Sequence, residues 1–247
     1  MMIQINDRSD IHHLYKPHKS LILIAINLGV MFTMFIVWFV PNTHNIIEKF
    51  DSSVFLSLNG LLLCSHALQF IIALLNHSNE SWINVVVMMF INLSMLFGRD
   101  NECCRLRLFK EIIYFWLFFQ VVLLTNSFLF SKILDIHRLS PSVVILPIIS
   151  LSETINISDI KELSCNSFPA GHTLIAVYWM CFSVFEIKHH ILYTILVYVI
   201  GIFIIIPRLF TGAHWMTDVL FTIPLGLMWF YCAKYFLYKI YQFNQVN

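Results

Sequence analysis

From Leu21 to Val40 the chain runs for 20 residues with apolar side chains almost throughout. As a helix, such a run rises about 30 Å, the thickness of a bilayer's hydrocarbon layer. It is too long for the apolar core of a signal peptide, and no small-residue cleavage site follows it. Further apolar runs recur at Trp82–Phe97, Glu111–Ser131, Gly171–Phe185, Ile191–Ile206 and Trp215–Phe236. Charged residues make up 12% of the chain and hydrophobic ones 59%, whereas an ordinary soluble domain is about 25% charged. These runs imply an integral membrane protein.

The predicted fold class is all-α, a polytopic membrane bundle of six transmembrane helices plus an interfacial helix. The interfacial helix is Val54–Leu75, whose apolar run is broken by Asn59, Gly60, Ser65, His66 and Gln69. Such interruptions suit the membrane surface better than the lipid interior. Pro41–Ser53 reads as a loop, and so does the charge-dense stretch Arg99–Lys110. The expected organisation is a cytoplasmic segment over 1–20 and a single six-span domain over 21–240, with a catalytic core over 132–236.

Orientation follows from the Lys and Arg distribution. With both termini cytoplasmic, ten of the fifteen Lys and Arg fall inside, leaving Lys49, Lys132, Arg138, Lys161 and Arg208 outside. Counting 54–75 as another span would invert everything after it and spoil that bias. The net charge of +1 comes with no basic patch, so nucleic acid is not an expected partner. Six scattered Cys, two of them adjacent as Cys103 and Cys104, imply no disulfide framework.

The chemistry-bearing residues gather on the outer side. Pro207-Arg208-Leu209-Phe210-Thr211-Gly212-Ala213-His214-Trp215-Met216-Thr217-Asp218 opens the last apolar run. If this segment is helical from His214 onward, the four-residue step puts His214 and Asp218 on one face. A carboxylate so placed fixes one ring nitrogen as a donor and leaves the other to attack. Arg208, expected in the preceding loop, offers a planar fork to a phosphate. Ser167-Phe168-Pro169-Ala170-Gly171-His172-Thr173 leads into the fourth span. Pro169 and Gly171 at a helix start set backbone N–H groups and the positive helix end beside His172, an anion site. Lys132 and His137-Arg138-Leu139-Ser140-Pro141 lie on the same side. Lys132 reads either as a phosphate contact or as an interfacial side chain, His137 as a solvated loop residue or a diphosphate contact, and Trp215 as an interfacial belt residue. His214 and Asp218 lack a third zinc ligand at suitable spacing. No metal and no cofactor is expected.

Taken together, these motifs resemble the type 2 phosphatidic acid phosphatase superfamily. Its members commonly read Lys, six residues, Arg-Pro; then Pro-Ser-Gly-His; then Ser-Arg, five residues, His, three residues, Asp. In this chain the interval from Lys132 to Arg138 is one residue short, Leu139 replaces Pro, Ala170 replaces Ser and Pro207 replaces Ser. Arg138-Leu139-Ser140-Pro141, Ser167-Phe168-Pro169 and the 207–218 pattern are similar to one branch, the inner-membrane lipid A phosphotransferases. Trp38-Phe39-Val40-Pro41 and Phe50-Asp51-Ser52 look like it too. The resemblance implies that His214 attacks phosphorus to form a phosphohistidine and that Asp218 fixes its tautomer. It implies that His172 protonates the leaving oxygen and then activates the acceptor, while Arg208, Arg138, Lys132 and Gly171 bind phosphate.

The implied partners are a polyprenyl diphosphate donor, lipid A or another phospholipid as acceptor, and membrane lipids. The implied setting is a bacterial inner membrane, with the site facing the periplasm. A water acceptor makes a lipid phosphatase instead, and the 139–166 loop is the segment expected to exclude water from a transferase. A transporter is the reading from another class. It is disfavoured because the charged residues cluster at one interface rather than at paired broken helices.

Overall fold

Segments that must satisfy their backbone inside lipid do so as helices. Among the described residues the only strand-like pairing is an isolated bridge between His77 and Ile160. The structure, a computed structural model, describes residues 17–77, 80–97, 102–146, 148–155, 160, 166–187 and 191–246. Most of the N-terminal segment expected over 1–20 lies outside the described residues. Arg99, Lys161 and residues 156–159 and 162–165 of the loop expected to exclude water do so as well.

The helices in chain order are α1 Pro17–Phe39, α2 Pro41–Leu61, α3 His66–Leu74, α4 Glu80–Phe97 and α5 Glu102–Phe128. After these come two single turns, α6 Pro141–Val144 and α7 Leu151–Thr154, and then α8 Gly171–Ile187, α9 Ile191–Phe210 and α10 Met216–Val246. Among the described residues four helices are long and apolar enough to cross a bilayer, α1, α5 with its π-helical extension Leu129–Ile133, α9 and α10, and the bent pair Pro41–Cys64 and His66–Leu74 makes a fifth if it counts as one span. Helices α4 and α8 carry shorter apolar stretches, Ile83–Phe97 and Gly171–Phe185. The chain is a multi-pass, all-helical membrane protein.

Two stretches read as loops are helical over their described residues, 41–53 and 102–110. Residues 41–53 form the first half of α2, started by Pro41 in the first turn, where its fixed φ suits a helix and its missing N–H costs nothing. The buried line of α2 is Asp51, Phe55 and Asn59. Two of these three are polar, so no apolar period marks the helix. Arg105, Arg107 and Lys110 belong to the first turns of α5. Val54–Leu75 is not one interfacial helix. It is divided between α2 and α3, which bend by 119° at Ser65, so the second limb turns back. Ser65 caps α3 by accepting the Leu68 N–H.

Helix α10 is central, packed against α1 on one side and α8 on another, while α8 also packs on α9. The core between α5, α8 and α10 is aromatic: Phe115 lies 4.5 Å from Phe182, Trp116 4.3 Å from Trp179 and Phe119 4.9 Å from Tyr178, centre to centre. Polar tips inside this core bond across helices. The Tyr114 hydroxyl donates to the Ala233 carbonyl at 3.0 Å, the Tyr178 hydroxyl to Phe115 O at 3.2 Å, and Trp229 Nε1 to Asn126 Oδ1 at 3.3 Å. Without water to compete, such bonds fix one helix against the next. The outward faces stay apolar, as Phe32, Phe39, Phe90, Leu124 and Leu192 illustrate.

Helix α10 meets α8 closely at Gly226, where a Cβ would sit 2.9 Å from Val177 Cγ1 and 3.0 Å from Val177 Cβ. Gly226→Ala is therefore expected to force the two helices apart and to destabilise the protein by about 1–3 kcal/mol. A lowered thermal unfolding midpoint of the detergent-solubilised variant checks this.

Candidate active site

Three segments converge at the ends of α8, α9 and α10. Arg208 lies in the last turn of α9, 2% exposed, rather than in a loop. Its carbonyl accepts the N–H groups of Ala213 at 2.9 Å and His214 at 3.3 Å, closing a tight turn. Gly212 makes that turn possible: its φ is +70°, and a Cβ there would lie 2.6 Å from the Phe55 ring. The turn delivers His214 just ahead of α10.

The His214 ring is held by Ser167. Its Nδ1 lies 2.6 Å from the Ser167 carbonyl oxygen. A carbonyl can only accept, so Nδ1 carries the proton and Nε2 of the neutral ring keeps its lone pair. Ser167 is fixed in turn by its own N–H, which donates to the Arg138 carbonyl at 2.7 Å. The neighbouring Phe168 ring packs 4.8 Å from Phe221 and 5.4 Å from Phe130. His172, in the first turn of α8, accepts at Nε2 from Arg208 Nη2 at 3.1 Å. The two imidazoles are 6.3 Å apart, centre to centre. Two rings at that separation beside a buried guanidinium can act on one small anionic group between them.

Asp218 does not fix the His214 tautomer. Helix α10 begins at Met216, after His214, so the pair cannot share a helical face. Asp218 is instead the third residue of the helix, and its Oδ2 accepts the Trp215 N–H at 2.9 Å. This is the reach-back half of a capping box, reinforced by the positive end of the helix. Its other oxygen accepts from Arg138 Nη1 at 2.5 Å.

Arg138 does not point an unengaged fork at phosphate. Nη2 donates to Asp51 Oδ2 at 2.7 Å, and Nη1 donates to Asp218 and to Thr217 Oγ1. Its guanidinium lies over the indole of Trp38 at 4.3 Å and that of Trp215 at 4.9 Å. Trp215, 7% exposed, is thus a packed residue rather than a belt residue, and its Nε1 donates to the Leu139 carbonyl at 2.8 Å. Lys132 sits exposed on the π-helical turn. Among the described residues no hydrogen bond or ion pair ties it to the site. His137 pairs with Asp135 at 3.0 Å on the surface.

Sequence reasoning missed Asp51, Trp38 and the Ser167 carbonyl. Asp51 and Trp38 stood in the stretches that look like the lipid A branch, but their distance along the chain hid their partners. A backbone carbonyl leaves no mark in a sequence. Among the described residues no group of three or more His, Cys, Asp or Glu gathers to hold a metal.

Beside the site lies a cavity of about 510 Å³, walled by Thr33, Met34 and Val37 of α1, by Leu134 and Ile136, and by Phe168 and Phe221. Arg138, Thr217 and Asp218 form its polar end, and none of His172, Arg208 and His214 lines it.

Residues 112–242, more than half of the chain, match the PAP2 superfamily. The chain belongs to that family. It is 27% identical, over 216 residues, to lipid A 1-diphosphate synthase of Escherichia coli, covering 84% of this chain and 85% of that protein. It is 36% identical over 87 residues to phosphatidylglycerophosphatase B of Bacillus subtilis, covering 32% of this chain and 43% of the other. The crystal structure of a transmembrane PAP2-type phosphatidylglycerolphosphate phosphatase from Bacillus subtilis superposes with a TM-score of 0.53 at 21% identity. That match covers 91% of this chain and 97% of the other, and it establishes a common fold. The protein is therefore a membrane enzyme of the PAP2 lipid phosphatase and phosphotransferase type.

Two glycine variants separate the turn from the start of α8. Gly212→Ala is expected to lower both the unfolding midpoint and the activity, because the new methyl meets Phe55 and the φ is left-handed. A Cβ at Gly171 meets nothing within 4 Å. Gly171→Ala is expected to keep the unfolding midpoint near that of the parent while raising KM for a phosphorylated lipid about tenfold, by occupying the space in front of the α8 N–H groups. Thermal unfolding and steady-state kinetics on the same preparations check both.

Proposed function

We propose that the protein is a lipid phosphotransferase working through a phosphohistidine at His214, moving the terminal phosphate of undecaprenyl diphosphate onto lipid A 1-phosphate. The observation that carries the histidine chemistry is the 2.6 Å contact from His214 Nδ1 to the Ser167 carbonyl, which leaves Nε2 as the nucleophile beside Arg208 and His172. The identity of donor and acceptor rests on the likeness to lipid A 1-diphosphate synthase over 84% of the chain. The same reading puts the protein in a bacterial inner membrane with the site facing the periplasm, in keeping with the Lys and Arg distribution.

In the first half-reaction Nε2 of His214 attacks the terminal phosphorus, a P–N bond forms, and the P–O bond to the prenyl monophosphate breaks. An incoming phosphate oxygen takes over the Arg208 donor that His172 accepts in this structure, so that Arg208 neutralises the equatorial charge. His172, released from Arg208, binds a solvent proton at Nε2, gives that proton to the departing oxygen and takes one back from the acceptor in the second half-reaction. In the second half-reaction the acceptor oxygen attacks and the P–N bond breaks. The apolar cavity beside the site, within the range of about 300–1,000 Å³ usual for ligand pockets, takes part of the lipid chain, while the phosphate lies outside it among His172, Arg208 and His214.

A second reading is hydrolysis of a phosphorylated lipid, favoured by the likeness to phosphatidylglycerophosphatase B over 87 residues. Purified protein given undecaprenyl diphosphate labelled on its terminal phosphate, with and without lipid A 1-phosphate, separates the two. The expected result is label on lipid A and none with His214→Ala. Release of label only as inorganic phosphate, whatever the acceptor, makes the protein a phosphatase. Filling the cavity with Thr33→Phe is expected to raise KM for the long-chain donor at least about fivefold more than for a short-chain analogue.

A further inference from the structure

Helix α2 lies outside the part of the chain that matches the PAP2 superfamily, yet one face of it grips the turn that carries His214. Asp51, Phe55 and Asn59 follow each other at four-residue steps and are each no more than 4% exposed. Asn59 Nδ2 donates to the Phe210 carbonyl at 3.1 Å, just before the turn. The Phe55 ring fills the space that a side chain at Gly212 would need. Asp51 takes hold just after the turn: Oδ1 accepts the Thr217 N–H at 2.9 Å, and Oδ2 accepts from the Thr217 hydroxyl at 2.5 Å and from Arg138 at 2.7 Å.

Arg138 closes the circuit. Its side chain joins Asp51 to Asp218 in the first turn of α10, and its carbonyl accepts the N–H of Ser167, whose own carbonyl orients His214. Arg138 thus links the start of α10 to the carbonyl that orients His214, and its side chain is held by Asp51 of α2.

We propose that α2 is a brace for the catalytic turn, with Asp51 and Arg138 as its positioning residues. Arg138 serves this brace by joining Asp51 to Asp218 and by holding Ser167, whose carbonyl orients His214. This rests on the phosphoryl-transfer reading of the same site.

The test is a double-mutant cycle on the full-length protein in detergent, using Asp51→Asn, Arg138→Gln and their combination. His214→Ala serves as the blank. Asp51→Asn leaves Arg138 paired with Asp218, and Thr217→Val offers a milder variant that removes only the hydroxyl contacts. Readouts are single-turnover phosphohistidine formation and the separation of kcat from KM, at a temperature below every variant's unfolding midpoint. A brace predicts that each single charge variant loses at least about tenfold in kcat with KM changed less than about threefold, and that the double variant is no worse than the poorer single. Thr217→Val is expected to lose a few-fold in the same direction, and Asp51→Glu to recover part of what Asn loses. Wild-type kcat in Asp51→Asn, together with a large KM rise in Arg138→Gln, overturns the brace and makes Arg138 a phosphate ligand. An unimpaired His214→Ala instead overturns the assignment of the site itself.

Discussion

The arrangement on which the rest of the site depends is one guanidinium shared by two buried carboxylates. Asp51 and Asp218 are both fully buried, and their charges are tolerable because Arg138 lies between them at 2.7 and 2.5 Å and the N–H groups of Thr217 and Trp215 complete their hydrogen bonds. The indole faces of Trp38 and Trp215 cover part of the guanidinium, whose side chain is 15% exposed. Each such face contributes about 0.5–2 kcal/mol when the cation is partly desolvated. Through this cluster, helices from opposite ends of the chain are held in one relation to each other.

The membrane explains why a polar cluster can do this. Packing of apolar side chains against lipid tails gives little preference for one helix neighbour over another, so close approach and hydrogen bonds decide which helices pair. Gly226 supplies close approach between α10 and α8, and Asn126, Tyr114 and Tyr178 supply hydrogen bonds between α5 and its neighbours. At the site the same logic is carried by charge. The result is a rigid turn beside an apolar cavity, an arrangement suited to presenting a lipid's phosphate to a histidine while its chain stays out of water.

Much of the candidate site was legible in the sequence because its histidines and Arg208 stand in local motifs. Pro-Ala-Gly-His at 169–172 and the Arg208, His214 and Asp218 spacing each lie within a few residues of a helix end, so their grouping survives in one dimension. The structure does bring Arg208, His172 and His214 together. What spacing misjudged was the helix boundary. A start at Met216 instead of His214 turns Asp218 from a histidine partner into a cap and an arginine partner. Residues 41–53 were missed for a related reason: a helix whose buried line is Asp51, Phe55 and Asn59 has no apolar period to detect.

By itself the sequence determined the class of the molecule, since runs of about 20 apolar residues have few ways to satisfy their backbones other than as helices in a membrane. It also determined which residue types could meet a phosphate, because the positive end of a helix, a histidine and an arginine are local features. Only the tertiary structure decided which group orients His214, and it is a backbone carbonyl that no residue code records. It likewise decided that Arg138 faces Asp51, 87 residues away in the chain. That choice is made by the cost of burying three charges, which falls only when they are buried together.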